Sequence, residues 1–245
     1  MKAIIIAAGS GSRLKEYHQG IPKSLLEVRS KRIIDDILTK ILKTGISKIV
    51  VITGYKRHLL QDYLEVYKTA KISIDFVYNP RWREANGISV LCAKKKVKSD
   101  EQFLLLMSDH VFQQGILKDI ISVKLLSDQA LLAVDRKIEA IPDLDDGMKL
   151  QCDIFKNNLC NIRKFGKKLT EYNAIDTGIF RLNYSFFQYL EQSISEGKDS
   201  LSDACNLMCK SGKMLGMDIK EKLWLDIDTP EMLKQRTLLQ QILSS

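Results

Sequence analysis

The chain predicts an α/β fold whose first half is a doubly wound, mostly parallel sheet. Three observations carry this expectation. Apolar runs such as Ala3 to Ala8 and Gln102 to Met107 are uninterrupted, as in strands covered by helices on both faces. These runs alternate with segments whose apolar residues recur at helical spacing. At 245 residues, with 45% hydrophobic and 28% charged side chains, the chain has the size and balance to bury a substantial core.

Taken in order, Ala3 to Ala8 reads as a strand, Ile33 to Lys43 as a helix and Lys48 to Thr53 as a second strand, which makes a βαβ unit. Leu59 to Lys68 is helical in spacing, and Ile72 to Tyr78 is a third strand that ends in a loop at Asn79 and Pro80. Gly87 to Lys96 reads as a helix, followed by the strand closing at Asp109. From Ala130 the pattern shifts to shorter strands, at 130–135, 148–155, 159–165 and 174–183. Helices return at Tyr184 to Ser195 and Leu201 to Lys210, then a strand at Met214 to Ile219 and a terminal helix from Pro230 to Leu243. Asp143 to Gly147 reads as a hairpin turn rather than a domain boundary. No internal repeat or flexible linker interrupts the chain.

Composition narrows the function classes. The net charge of +8 is compatible with nucleic acid, but the basic residues are dispersed apart from Lys94 to Lys98, which lacks interleaved aromatics and reads as a solvated helix end. No nucleic-acid partner is expected, and a positive field suits an anionic small molecule equally well. The five cysteines form no CxxC pair and are expected as reduced thiols, with Cys205 and Cys209 on one buried helical face. The first apolar run is too short for a signal peptide or membrane span, so a cytoplasmic location without membrane insertion is expected.

The first chemical feature is the loop of Ala7, Ala8, Gly9, Ser10, Gly11, Ser12 and Arg13 directly after the first strand. Ligands bind at the carboxyl edge of open α/β sheets. There, glycine lets backbone N–H groups approach phosphate oxygens, and Arg13 adds a planar, multi-donor charge. A dinucleotide fingerprint would need glycine at Leu14 and an acidic residue near Thr53, and a Walker loop would need lysine and a hydroxyl residue after the last glycine; both patterns fail. Pro22 then stiffens the approach to Lys23, a compact charge suited to neutralising a phosphoryl group in transfer. Taken alone, the loop also reads as a structural turn and Lys23 as a solvated lysine.

Gly9 to Arg13 (GSGSR) followed by Pro22 to Val28 (PKSLLEV) resembles the start motif of sugar-phosphate nucleotidyltransferases. Residues 81–97 (RWREANGISVLCAKKKV), 103–112 (FLLLMSDHVF), 164–180 (KFGKKLTEYNAIDTGIF), 199–207 (DSLSDACNL) and 223–233 (LWLDIDTPEML) are similar to the inositol-1-phosphate cytidylyltransferases. The resemblance runs from Ala3 to about Leu233. It implies a three-layer, Rossmann-like nucleotidyltransferase fold with a mixed, mostly parallel sheet and a small acceptor-side β subregion. A single domain is expected, with residues 1–125 for the nucleotide and 126–245 for the acceptor.

The resemblance also implies a reaction, in which CTP and inositol 1-phosphate give CDP-inositol and pyrophosphate with Mg2+, supplying CDP-alcohol lipid synthesis. Arg13 and Lys23 would hold the triphosphate, and Asp109 with Asp226 or Asp228 the ion, carboxylates being the hard oxygen ligands it requires. Asn86, Gly87 and Ser89, at a helix start, and Thr53 would meet the base or ribose, although the family usually has glycine where this chain has Ala85. His110, Lys167, Asp176 and Thr177 would face the acceptor, with Lys168 an alternative to Lys167 and Glu171 and Tyr172 shaping the pocket. Read without the resemblance, Asp109 is equally a strand-end cap and His110 a hydrogen-bonded structural histidine. Sugar 1-phosphate, phosphocholine and phosphonate acceptors stay open, as do other nucleotides, a non-catalytic nucleotide-binding regulator and a homodimer.

Overall fold

The computed structural model describes residues 1–18 and 20–244; Gln19, which falls inside the Ala7 to Lys23 segment, and Ser245 lie outside the described residues, as do the side chains of Lys15 and His18. Strand β1 (Lys2–Ala7) leads through α1 (Lys15–His18) and the short pair β2 (Glu27–Val28) and β3 (Lys31–Arg32) to α2 (Ile33–Leu42). Then follow β4 (Lys48–Thr53), α3 (Arg57–Glu65), β5 (Ser73–Tyr78), α4 (Asn86–Cys92), β6 (Gln102–Met107), β7 (His110–Phe112) and α5 (Gln114–Ser122). The second half comprises β8 (Ala130–Asp135), β9 (Lys149–Cys152), β10 (Leu159–Gly166), β11 (Ala174–Asn183), α6 (Phe186–Ser195) and α7 (Leu201–Lys210). It ends with β12 (Met214–Asp218), β13 (Trp224–Asp226), α8 (Pro230–Leu233) and α9 (Arg236–Leu243).

Among the described residues, nine strands form one sheet in the order β5-β4-β1-β6-β11-β8-β12-β10-β9. The pairings make β4, β5, β6, β8, β9 and β12 run with β1, and reverse only β10 and β11. The sheet is therefore mixed: it is parallel from β5 through β6 and between β8 and β12, and the antiparallel pairings of β10 and β11 make its second half less parallel than expected. Period-two alternation assigns its side chains to two cores. Ala3, Ile5, Leu104 and Leu106 pack with α2, α3, α5 and α9. Ile4, Ile6, Phe103 and Leu105 pack with α4, α6 and α7 on the other face. These are the three expected layers, and Cys205 and Cys209 lie on the buried face of α7.

Several expectations change. Asp143 to Gly147 is a turn, closed by the Gly147 N–H donating to the Asp143 carbonyl at 3.2 Å, but it joins no hairpin, because β8 and β9 are not neighbours and run the same way. The terminal helix is broken at Gln235, whose ψ of 58° lets Met232 of α8 and the Leu239 and Ile242 pair of α9 reach the same core. Helix α5 and the ribbon of β7 with β13 occupy stretches to which sequence patterning assigns no element. Among the described residues, no helix is long and apolar enough to cross a membrane.

Beneath β7, Asp36 and Lys40 face each other on α2, each 1% exposed. The Lys40 ammonium donates to Asp36 at 2.6 Å, lies 3.5 Å from the Ile242 carbonyl of α9, and sits 5.4 Å from the Phe112 ring centre. Burial holds Lys40 below the ordinary lysine range despite Asp36. Removing one partner of a buried pair strands the other charge. Asp36→Ala is therefore expected to cost about 3 kcal/mol in urea unfolding, and adding Lys40→Met is expected to restore most of that loss.

Candidate active site

The site lies at the carboxyl ends of β1 and β6. After β1 the chain turns through Gly9 and Gly11 into a single 3-10 turn, Ser12–Leu14, anchored by the fully buried Leu14. Gly11 has φ +62°, and a Cβ there would stand 2.8 Å from the Lys23 Cβ, so glycine is what lets Lys23 lie against the loop. Lys23 opens its own 3-10 turn after Pro22 and is nearly buried, its side chain 7% exposed.

The ribbon missed in the sequence gathers the acidic residues. β7 and β13 pair antiparallel with Asp226 opposite His110, and the Ile227 N–H donates to the Asp109 carbonyl at 2.9 Å. Asp109, His110, Asp226 and Asp228 are thereby brought to one place. The Lys23 ammonium sits among the three carboxylates, donating to Asp109 at 3.0 Å and to Asp228, with Asp226 at 3.8 Å. Burial would lower Lys23, but Asp109, Asp226 and Asp228 outweigh it and hold it above the ordinary lysine range. Burial likewise opposes ionisation of Asp109, yet Lys23 and His110 bring it down to about 2. Asp226 moves up, from burial with the neighbouring charge of Asp109.

The His110 Nδ1 lies 2.7 Å from the Thr177 carbonyl, and its Nε2 points to Asp226 at 3.5 Å and Asp109 at 3.7 Å. Burial lowers the imidazole, but Asp226 and Asp109 push it up to about 10. The His110 ring also explains Gly178, where φ is +72° and a Cβ would come 2.4 Å from the imidazole.

Two cavities meet here. A larger one of about 910 Å³ is lined by Ala7, Gly9 to Arg13, Lys23, Tyr55, Trp82, Asn86, Ser89 and Asp109. A smaller one of about 290 Å³ is lined by His110, Asp146, Lys167, Asp176, Trp224 and Asp226, with apolar walls that include Phe165, Phe180 and Leu201. Arg13, Asn86, Met107, Asp109 and Asp228 line both. In the smaller cavity β11 is irregular against β8 between Asp176 and Phe180, and this irregularity aims Asp176 inward. The Asp176 carboxylate accepts from the Gly178 N–H at 2.7 Å, and burial raises it to about 6.

Some expected site residues face elsewhere. Thr177 is 0% exposed, and its hydroxyl donates to the Ala133 carbonyl at 2.7 Å, so it holds β11 to β8 instead of facing the acceptor. Thr53 is also 0% exposed and its hydroxyl lies 3.5 Å from the Val77 carbonyl, inside the sheet. Gly87 serves packing, since a Cβ there would be 2.4 Å from the Asp199 carbonyl. Ala8 lies behind the loop, accepting from the Tyr55 N–H at 2.9 Å. Asn86 does double duty, lining both cavities while accepting from the Leu201 N–H at 2.9 Å. Lys167, not Lys168, lines the smaller cavity, and Glu171 and Tyr172 do not.

Sequence reading missed Asp146, which contacts Arg13 at 2.5 Å and also Lys167. Its position beside Gly147 reads as turn chemistry; the cluster of Asp143, Asp145 and Asp146 ahead of the Asp176 strand is the available signal.

The residues present also suit a divalent cation. Asp109, His110 and Asp226 each offer a ligand atom, all within 4.8 Å of one another. Among the described residues, Asp226 Oδ1 is a buried oxygen with no hydrogen-bond partner. Carboxylate oxygens match a hard ion. Asp228 is instead engaged by Arg13 and Lys23.

Residues 2–140 match the family described as Nucleotidyl transferase. A bifunctional IPC transferase and DIPP synthase from Aquifex aeolicus is 25% identical over 232 residues, covering 94% of this chain and 49% of the relative. The Thermococcus kodakarensis protein of the same description is 29% identical over 237 residues, covering 96% and 49%. The chain thus spans about half the length of these curated relatives. The solved inositol-1-phosphate CTP transferase from T. maritima shares the fold, with a TM-score of 0.84 over 100% of this chain and 96% of that one at 24% identity. Since the family match takes in more than half of the chain, including its glycine loop, Lys23 and Asp109, the chain belongs to the nucleotidyl transferase family and is a transferase enzyme.

Proposed function

We propose that this transferase moves a cytidylyl group from CTP to inositol 1-phosphate, giving CDP-inositol and pyrophosphate. The observation that carries the reading is the meeting of two cavities, unequal in size, at a wall made of Arg13, Asp109 and Asp228. The larger cavity, floored by the glycine loop and Lys23, suits a nucleoside triphosphate. The smaller one joins the cationic Lys167 at its mouth to the half-buried carboxylate of Asp176, a pairing that suits a phosphorylated polyol. The choice of cytidine and inositol draws on the names of the similar proteins.

An oxygen of the acceptor's phosphate forms the new bond to the α-phosphorus while the bond to the pyrophosphate oxygen breaks. A phosphate monoester is largely ionised near neutral pH, so no general base has to act. Arg13 and Lys23 neutralise the triphosphate, and Lys167 orients the attacking phosphate. The Asp176 carboxylate accepts hydrogen bonds from ring hydroxyls and fixes which phosphate oxygen faces the nucleotide. Asp109 and Asp226, with Asp228 beside them, would hold Mg2+, which when bound supplies positive charge against the phosphate oxygens.

Pyrophosphate release, measured for four nucleoside triphosphates crossed with inositol 1-phosphate, sugar 1-phosphates and phosphocholine, tests the assignment. Turnover is expected with CTP and inositol 1-phosphate and only with added Mg2+; turnover confined to another pair would sink the specific reading. In the same assay Lys23→Ala is expected to lower kcat by roughly 10²–10³-fold, the scale of a principal electrostatic contact to the transferred group. Asp176→Ala is expected to raise the acceptor KM about tenfold or more while leaving the CTP KM unchanged, as for a lost hydrogen bond to a charged group.

A further inference from the structure

Asp146 joins the two sides of the site. It stands on the 142–147 turn, and its carboxylate contacts Arg13 through Oδ2 at 2.5 Å and Lys167 through Oδ1. Burial would raise it, but Lys167 and Arg13 hold it below the ordinary carboxylate range. The Lys149 ammonium donates to the Lys167 carbonyl at 3.0 Å, so the turn after β10 that carries Lys167 is braced independently of Asp146. Asp146 itself is one-third exposed, on a turn closed by the Gly147 N–H donating to the Asp143 carbonyl. A carboxylate thus bridges two cations at the mouth of the smaller cavity, with Arg13 continuing to Asp228 at the nucleotide side.

We propose that Asp146 is a specificity-determining residue of the acceptor site: its carboxylate is a built-in counter-ion on Arg13 and Lys167 that a phosphate monoester displaces and a singly charged phosphodiester does not. The inference rests on the acceptor reading above. A monoester carries about −1.5 to −2 charges near neutral pH and three acceptor oxygens, against the single charge of the carboxylate it replaces. Exchange therefore gains Coulomb energy and a bidentate contact to Arg13 for the monoester. A diester exchanges one negative charge for one and gains nothing. The same displacement frees Arg13, so acceptor entry readies the guanidinium for the triphosphate. Asp146 touches no reacting atom in this account; it sets which anions reach Lys167.

The test is a ³¹P NMR titration of the full chain with methyl phosphate and with dimethyl phosphate. Phosphate bound at the acceptor mouth is identified by its loss in Lys167→Ala. Asp146→Asn is expected to bind methyl phosphate roughly fivefold or more tightly than the parent, the scale of two partly exposed ion pairs, and to bind dimethyl phosphate measurably. Asp146→Glu, which keeps the charge, is expected to keep the parent's discrimination. Methyl phosphate affinity that is unchanged or weaker in Asp146→Asn, while Lys167→Ala still weakens it, would overturn the counter-ion role alone. Affinity untouched in Lys167→Ala would overturn the acceptor reading and the role of Asp146 with it.

Discussion

The site depends on one ammonium group. Asp109, Asp226 and Asp228 converge within reach of the Lys23 Nζ, and three carboxylates cannot share so small a volume without a cation between them. Lys23 meets that need because Gly11 has no side chain to block its path and because Pro22 starts the turn that directs it inward. The charge is nearly buried, so its attraction to the carboxylates is screened less than a surface pair would be. His110 also faces Asp226 and Asp109 through Nε2, its ring held by the Nδ1 contact with the Thr177 carbonyl. Within the cluster, Lys23 and His110 hold Asp109 below the ordinary carboxylate range although burial opposes its ionisation.

From this cluster, alternating charges extend across the cleft, from Lys23 to Asp228, Arg13, Asp146 and Lys167. The line links the glycine loop of the first half to the 142–147 turn and the turn after β10 in the second, running from Lys23 in the larger cavity through Asp228 and Arg13, which border both, to Asp146 and Lys167 in the smaller. Every cation in it is one that a phosphate can claim, and every carboxylate one that another cation can claim. The sheet supplies the fixed frame: β1 and β6 end beside each other, and the bulged β11 next to β6 brings Asp176 and the His110 contact to the same edge.

Much of this frame is legible in the sequence, because strands buried on both faces leave uninterrupted apolar runs. Lys48–Thr53, Gln102–Met107, Ala130–Asp135 and Ala174–Asn183 fall where patterning puts them. The loop, Lys23 and Asp109 are legible because glycine, proline and a strand-end carboxylate mark them locally. The ribbon of β7 and β13 is not: three residues are too few to show alternation, and the pairing joins segments more than a hundred residues apart. Thr53 and Thr177 look like site residues because they are polar at strand ends, but their hydroxyls satisfy backbone carbonyls. Gly87 looks like a ligand-approach glycine and is one of close packing. Asp146 is hidden because aspartate in a turn needs no other explanation.

If the Lys23 ammonium is what permits the carboxylates to converge, its removal must leave a repulsion that a divalent cation can relieve. Thermal unfolding of Lys23→Met, with and without millimolar Mg2+ and no nucleotide, measures this directly. The account predicts a Tm lower than the parent's by at least ~4 °C, on the scale of one to two kcal/mol for a chain of this size, and recovery on adding Mg2+ that exceeds any gain in the parent. A Lys23→Met chain as stable as the parent, and no more responsive to Mg2+, would contradict it.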